Sequence, residues 1–433
     1  MGRVVSRVVR VLVFPSCNEP GLEIIESLLQ HPRFQVVGGS SLDPAVDPSA
    51  AMLERHFRLP SLYDAHFHDA LDALLVSEEI DLIFSSMDVV TEAFSLRRFP
   101  RGVFVGPAPE IAAICASKRS MLRELAGVVP LPADLSGGIS LPAFAKPDRG
   151  GGSRGTRVVN TVAERDAALK ENCVLQQVLP GDEYTVDCCG DRDGNLLTAT
   201  IRRRAAIGRG IALATEIVED DTMMHHVQAL ADRLRIAGPF FVQFKRDAGG
   251  VARLLEVNAR VGGSMTGTRL HGINIPLMAA LSFLGVPVQA PRPVQSPRMV
   301  RRLTQTGHLA PFTHVIWDLD DTLVHADGNA DPMAVAHVLD LHQRGVQQLV
   351  LTLNQSPKAL MATAFVPDCF VEVHTTTHKV DFLRAWFVER GVSPGETVLI
   401  NDSGSERRAL ESEFADLRCL APWNLETLGW RRR

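Results

Sequence analysis

The sequence predicts an α/β and α+β multidomain chain, with a doubly wound parallel sheet near each end and a mixed region of helices and paired strands between them. Three observations carry this expectation. Near both ends, short apolar runs of strand length alternate with helical stretches, the pattern of strands buried on both faces and joined by crossover helices. In the middle, strand-like runs follow one another directly, with Asp193-Gly194 turning one into the next. Between the middle and the last part, Pro287, Pro291, Pro293 and Pro297 interrupt the pattern as a connector would.

Taken in order, an apolar strand is expected over Val8–Phe14, a turn at Pro15–Pro20 and a helix from about Leu22 to Gln30. Further strands are expected at Phe34–Gly38 and Ile80–Ser85. This first part should end near Val103–Pro109, where Gly106, Pro107 and Pro109 break the pattern. From Ile111 to Pro291, helices mix with paired strands expected at Val174–Val178, Glu183–Cys189 and Leu196–Arg202. A new α/β unit begins at Thr313 with a strand over His314–Asp318. The expected boundaries are therefore 1–108, 109–295, a linker at 296–312, and 313–433.

Bulk composition narrows the function classes. The chain has 433 residues, 45% hydrophobic and 22% charged, enough to bury the cores of several domains. Net charge is −5, and the basic runs are confined to Arg202–Arg204 and Arg431–Arg433, which argues against nucleic acid as a partner. Seven cysteines without repeated spacing suit reduced thiols in a cytoplasm better than a disulfide framework or a zinc site. Arg3, Arg7 and Arg10 precede an apolar stretch, but Pro15, Ser16, Asn18 and Glu19 cut it short, so a buried strand is expected rather than a leader, and no run is long enough to span a membrane. His66 and His68 and the pair His225-His226 have no convincing metal partners and read as packing or surface residues, and Cys17, in the first turn, reads as a small buried thiol rather than a reactive one.

The central region carries the first chemical motif. Lys146 closes an apolar strand expected over Leu141–Ala145 and leads into Pro147-Asp148-Arg149-Gly150-Gly151-Gly152-Ser153-Arg154-Gly155. Glycines let a backbone approach phosphate oxygens and offer them N–H groups, while Lys and Arg supply countercharge. Downstream, Phe240-Phe241-Val242 leads to Gln243, and a strand over Leu254–Asn258 delivers Glu256 and Asn258. Two residues apart on an extended chain, Glu256 and Asn258 share a face, where their oxygens suit Mg²⁺, and Gln243 on a neighbouring strand adds a third. Arg202 and Arg203, expected at a strand end, read equally as anion ligands for a carboxylate or phosphate and as a solvated basic patch.

On these residues the chain resembles the ATP-grasp superfamily, particularly the large chain of carbamoyl-phosphate synthetase, over roughly residues 8–290. The most specific element is Gln243 with Glu256-Val257-Asn258-Ala259-Arg260. The resemblance implies a pre-ATP-grasp Rossmann-like domain and an ATP-grasp fold. It also implies that Gln243, Glu256 and Asn258 are Mg²⁺ ligands, with Mn²⁺ as an alternative, and that Arg260 contacts the transferring phosphate or acyl phosphate. Lys118 and Lys146 match the two lysines that reach ATP phosphates, with Gly151, Gly152 and Ser153 in the phosphate loop. Gln176, Gln177 and Leu179 fall where the family contacts adenine, and Glu183 where it binds ribose. Gln176 replaces a common Glu and Ala259 a common Pro. The reaction implied is phosphorylation of a carboxylate by ATP, followed by displacement of phosphate by an amine.

The last region holds the strongest short motif. His314-Val315-Ile316-Trp317 runs into Asp318-Leu319-Asp320-Asp321-Thr322, which puts two carboxylates at the carboxyl end of a strand, where doubly wound sheets bind ligands. Their repulsion calls for a cation, and Mg²⁺ is expected. A strand over Gln348–Leu351 then ends at Thr352, Lys379 opens a helix over Val380–Glu389, and a strand over Val398–Ile400 ends at Asn401-Asp402-Ser403 with Glu406-Arg407 nearby. This order is similar to haloacid-dehalogenase (HAD) phosphatases, in particular the capless branch. The likeness implies Asp318 as nucleophile, Asp320 as general acid and base, Thr352 and Lys379 as phosphate-neutralising groups, and Asp402 beside Asp318 and Asp320 as a metal ligand. Asn401 stands where an acidic residue is common.

The expected whole is a cytoplasmic bifunctional enzyme: an amino-acid or peptide-type carboxylate-amine ligase joined to a Mg²⁺-dependent phosphatase. Its partners are small carboxylates, amines and a phosphorylated small molecule, without nucleic acid or membrane, and homo-oligomers are compatible with it. The alternatives are phosphorylation of a small acid such as carbamate, and a ligase whose HAD-like part is regulatory or structural.

Overall fold

The computed structural model describes residues 7–137, 140–152, 154–208, 211–291, 293, 299–300, 309–357 and 369–428. The chain divides into two compact units, Met1–Arg302 and Leu303–Arg432.

The first unit opens with β1 (Val9–Phe14), α1 (Glu19–Leu29), β2 (Phe34–Ser40), β3 (Arg55–Arg58), α2 (Phe67–Ser77), β4 (Leu82–Ser85), α3 (Asp88–Ser95) and β5 (Val103–Phe104). The strands pair in parallel in the order β3-β2-β1-β4-β5. Alternation along β1 explains the two-sided core. Val9, Val11 and Val13 pack with Ile24, Ile25 and Leu28 of α1, whereas Leu12 and Phe14 pack with Phe67, Leu71 and Phe94. Helix α1 starts earlier than the expected Leu22, because the Asn18 side chain accepts the Gly21 N–H at 2.9 Å and Pro20 fits the first turn. Gly21 is required there, since a Cβ would lie 2.6 Å from the carbonyl oxygens of Pro15 and Ser16. β3 and α2 were not among the expected elements; β3 is a half-exposed edge strand, Arg-His-Phe-Arg, with no apolar alternation to announce it.

The rest of this unit holds α4 (Pro109–Ala116), α5 (Lys118–Glu124), β6 (Ala143–Pro147), β7 (Arg157–Val159), α6 (Val162–Lys170) and β8 (Cys173–Gln177), with a small antiparallel sheet β7-β6-β8. Then come β9 (Glu183–Gly190), β10 (Leu196–Gly208), β11 (Ile211–Ile217), α7 (Asp221–Leu234), β12 (Gly238–Arg246), β13 (Ala252–Asn258), α8 (Thr266–Leu270), α9 (Ile275–Phe283) and β14 (Met299–Val300). The larger antiparallel sheet runs β13-β12-β9-β10-β11-β14. Met223, Val227, Leu230 and Leu234, at helical spacing on α7, cover Val186, Phe240, Val242 and Phe244 of this sheet. β10 is longer than expected, so Arg202–Arg204 lie within the strand instead of at its end.

The second unit comprises β15 (His314–Trp317), α10 (Pro332–Gln343), β16 (Gln347–Thr352), β17 (Glu372–Thr375), α11 (Lys379–Arg390), β18 (Thr397–Ile400), α12 (Gly404–Glu413) and β19 (Arg418–Leu420). Its strands are parallel in the order β17-β16-β15-β18-β19. Trp317, fully buried, donates its indole N–H to Gln348 Oε1 at 3.0 Å, and Gln348 in turn donates to the Val338 carbonyl at 2.9 Å. This chain of bonds ties the central strand to α10. Among the described residues, no helix is long and apolar enough to cross a membrane.

Candidate active sites

In the first unit, a cavity of about 260 Å³ is bordered by both antiparallel sheets and by α1. The register of β12 and β13 places Gln243 opposite Glu256, so their side chains share one face of the sheet and both line the cavity. Asn258 is opposite Phe241 and only 7% exposed; it is not among the residues lining the cavity, and its Nδ2 has no hydrogen-bond partner. A buried carboxamide without a partner is costly. Because its two ends are nearly interchangeable in shape, it fits a site where a cation takes the oxygen. The donors of Gln243, Glu256 and Asn258 are one carboxylate and two amides, a set that suits Mg²⁺ completed by nucleotide phosphates.

Six cations border the same cavity: Lys118, Lys146, Arg154, Arg202, Arg204 and Arg260. Lys146 lies inside β6 and not just beyond it; it is 7% exposed and its Nζ is 3.5 Å from the Leu255 carbonyl oxygen. Burial pushes its pKa down to about 8, opposed by the charge of Glu256 and reinforced by that of Lys118. Lys118, the first residue of α5, donates to the Gly150 carbonyl at 2.8 Å, and its backbone N–H to Asp148 O at 3.0 Å. Arg149 pairs with Glu92 of α3 at 2.7 Å. The glycine-rich loop is thus held at three successive residues, Asp148, Arg149 and Gly150. Gly150 and Gly152 have φ of 109° and 67°, values that side chains disfavour. Both Gly151 and Gly152 line the cavity, while Ser153 lies outside the described residues.

Several expected residues stand elsewhere or have other partners. Gln176, Gln177 and Leu179 are not among the residues lining the cavity. The Gln177 N–H bonds Ala133 O at 2.9 Å, and Gln176 bridges to Asp134, so this backbone is engaged by the segment 133–135. Glu183 does line the cavity, where it pairs with Arg204 and lies 3.8 Å from Lys245. Of the two arginines read equally as anion ligands and as a solvated patch, Arg203 pairs with Glu216, whereas Arg202 is fully buried, with Nε and Nη2 on Asp187 at 2.6 and 2.8 Å and Nη1 on Ser264 Oγ at 3.1 Å. A solvated patch is therefore ruled out for Arg202. Arg260 is held by Asp88, the first residue of α3, at 2.8 and 2.9 Å. Nothing in the local sequence announced Asp88, Glu92 or Asp187, which are distant in the chain from the arginines they hold.

In the second unit the side chains gather at the carboxyl ends of β15, β16 and β18. Lys379, opening α11, donates to Asp318 Oδ1 at 2.9 Å and to Glu406 Oε2 at 2.7 Å. Burial pushes the Asp318 carboxyl up to about 6, against the charge and hydrogen bond of Lys379. Asp320 accepts from Asn354 Nδ2 at 2.9 Å and from Thr352 Oγ1 at 3.4 Å. Asn401, buried, donates to Glu406 at 2.8 Å and caps Ser403 N–H at 2.7 Å.

Among the described residues, no three or more His, Cys, Asp or Glu side chains are grouped to hold a metal. Lys379 already supplies a cation to Asp318, and Asp320 is turned to Asn354 and Thr352. Glu406, named in the sequence only as a neighbour of this strand end, is linked to both Lys379 and Asn401.

Residues 170–306 match the model of a family described as ATP-grasp in the biosynthetic pathway with the Ter operon. Among solved structures, the chain is similar to the biotin carboxylase domain of Hydrogenobacter thermophilus 2-oxoglutarate carboxylase, determined with MgADP, ADP and bicarbonate (TM-score 0.56, 16% identity, 65% of this chain and 71% of that one). It is also similar to an L-amino acid ligase from Bacillus licheniformis (TM-score 0.51, 19% identity, 65% and 75%). A third is an N5-carboxyaminoimidazole ribonucleotide synthetase bound to ADP (TM-score 0.54, 14% identity, 67% and 81%). At these identities the likeness is one of fold over about two thirds of the chain, and the ATP-grasp family match lies within residues 170–306.

Proposed function

We propose that the first unit, an ATP-grasp fold built around this cavity, uses MgATP to activate a carboxylic acid as an acyl phosphate and passes the acyl group to an amine. The observation that carries the reading is the cross-strand pair Gln243–Glu256 facing the same cavity as Lys118, Lys146 and Arg260. Mg²⁺ held by Gln243, Glu256 and Asn258 would neutralise phosphate charge. Lys146, in a buried position of low dielectric, attracts phosphate oxygens more strongly than a solvated lysine does. Lys118 fixes the glycine loop, whose N–H groups then face the phosphates. Arg260 offers donors to the oxygens on which charge builds as the phosphoryl group moves. The L-amino acid ligase among the structural neighbours favours carbon–nitrogen bond formation, and with it an amino-acid or peptide-type substrate pair.

Incubating the chain with ATP, candidate acids and hydroxylamine should release ADP and form a hydroxamate. An unchanged yield in Glu256→Ala would refute the metal assignment.

For the second unit the reading is a phosphohydrolase of the HAD kind, and the contact between Asp318 and Lys379 favours it. Asp318 attacks phosphorus, the ester oxygen leaves with a proton supplied by Asp320, and Lys379 neutralises the phosphoryl oxygens; water, giving its proton to Asp320, then releases phosphate from the aspartyl phosphate and restores the Asp318 carboxylate. Hydrolysis of p-nitrophenyl phosphate by the full chain, with and without Mg²⁺, tests it, and no hydrolysis under either condition would leave this unit a binding or regulatory part.

A further inference from the structure

Arg260 and Arg202 border the same cavity and are held in the same way. Each presents the edge formed by Nε and Nη2 to both oxygens of an aspartate, Asp88 for Arg260 and Asp187 for Arg202, and each places Nη1 on a third acceptor, the Val261 carbonyl or Ser264 Oγ. A guanidinium has five N–H donors in one plane. Three are engaged in Arg260, so two remain, one on each terminal nitrogen. They are fixed in direction because a bidentate carboxylate removes the rotational freedom of the side chain. The Arg260 guanidinium also lies 5.2 Å from the centre of the Phe241 ring, which leaves its plane little room to tilt. Gly151 confirms how closely the phosphate loop approaches: a Cβ there would lie 3.4 Å from Asp88 Oδ2 and 3.9 Å from Arg260 Nη2.

We propose that Asp88, on α3 of the N-terminal sheet, is the positioning residue of Arg260, aiming its two remaining N–H donors at the terminal phosphoryl group of the bound nucleotide. The assignment rests on the ligase reading above. Asp88 touches neither substrate nor nucleotide and acts through Arg260 alone. One turn further along α3, Glu92 holds Arg149 of the glycine loop, so a single helix face supports both the loop and the arginine beyond it. An uncharged Asn at position 88 keeps one acceptor and turns an N–H₂ toward the guanidinium, which frees Arg260 to rotate. A Glu keeps both acceptors on a longer stem.

The test is calorimetric titration of the full-length protein with MgADP and with the magnesium complex of AMPPNP, whose extra phosphoryl group is the probe. The wild-type chain should bind Mg-AMPPNP more tightly than MgADP. Asp88→Asn should hold MgADP as the wild type does and lose about tenfold in Mg-AMPPNP affinity, the scale of one charge-assisted hydrogen bond. Asp88→Glu should recover part of that loss. If Asp88→Asn keeps the full preference for Mg-AMPPNP, the inference falls and the ligase reading stands. If the variant weakens both nucleotides equally, or does not fold while Asp88→Glu folds and weakens both nucleotides equally, Asp88 is a packing residue and the inference falls again. Absence of nucleotide binding by the wild-type chain overturns the ligase reading and the inference with it.

Discussion

The two five-stranded parallel sheets share one strand order, with the first strand central between the second and the fourth, yet they end that central strand in opposite ways. β15 ends in Asp318 and Asp320, with Lys379 brought to them by α11. β1 ends in Pro15-Ser16-Cys17, and most of the polar groups near it are paired with one another. Asp47 accepts from Ser40, its Oδ2 is 2.9 Å from His56 Nε2, and the Ser49 hydroxyl lies 2.5 Å from Asp47 Oδ1 and 2.7 Å from Ser16 Oγ. His56 Nδ1 is buried without a hydrogen-bond partner. Polar groups paired in this way rigidify the loops around them and leave few for a ligand. The N-terminal sheet therefore serves as a support, lending Asp88 and Glu92 to a cavity built by antiparallel strands, whereas the C-terminal sheet carries a cluster of ionisable groups at its own strand ends. Strand order fixes where loops converge, and the residues on those loops decide whether anything reacts there.

The sharpest way to break this contrast is at the strand ends. Asp318→Asn should reduce phosphate-ester hydrolysis by about 10³-fold or more while ADP release in the ligase assay continues, since it removes only the nucleophile. Loss of ester hydrolysis on Ser16→Ala instead would show that the N-terminal sheet edge is reactive after all. Next in size, Glu256→Ala should lower ADP and hydroxamate formation by about 100-fold and leave ester hydrolysis unchanged.

The supporting role of the first sheet can be measured as stability. Asp47→Asn leaves donors of the buried network without a charged acceptor and should cost about 2 kcal/mol in urea unfolding, roughly 30-fold in the folding equilibrium, with no change in ester hydrolysis. An equal loss of hydrolysis would contradict the division of labour. The smallest effect concerns pH. With a pKa lowered to about 8, Lys146 keeps its ammonium below that value and loses it as pH rises through it. MgATP affinity should therefore fall above pH 8, by up to about tenfold per unit, and Lys146→Arg should flatten the profile. A flat wild-type profile would show that the ammonium does not meet the phosphates.

Most strands with a continuous apolar run were legible in the sequence, and their ends in the structure differ from expectation by a few residues, as with β1, β13 and β18. β3 was not legible, because an edge strand needs no buried face and so shows no pattern. The i, i+2 spacing of Glu256 and Asn258 could be read, but the bulge between Gln243 and Phe244 that sets Gln243 against Glu256 could not, since register depends on the partner strand.

By itself, the sequence determined the two kinds of chemistry on offer: oxygen donors and lysines around a glycine loop in one half, and carboxylates at the end of an apolar strand in the other. These depend on residue type and short spacing, which the chain carries locally. Only the tertiary structure decided which charged groups meet: Arg260 is held by Asp88, 172 residues away, Arg202 by Asp187, and Lys379 bonds Asp318. Ion pairs form between groups that folding brings within a few ångströms, and separation along the chain says nothing about that distance.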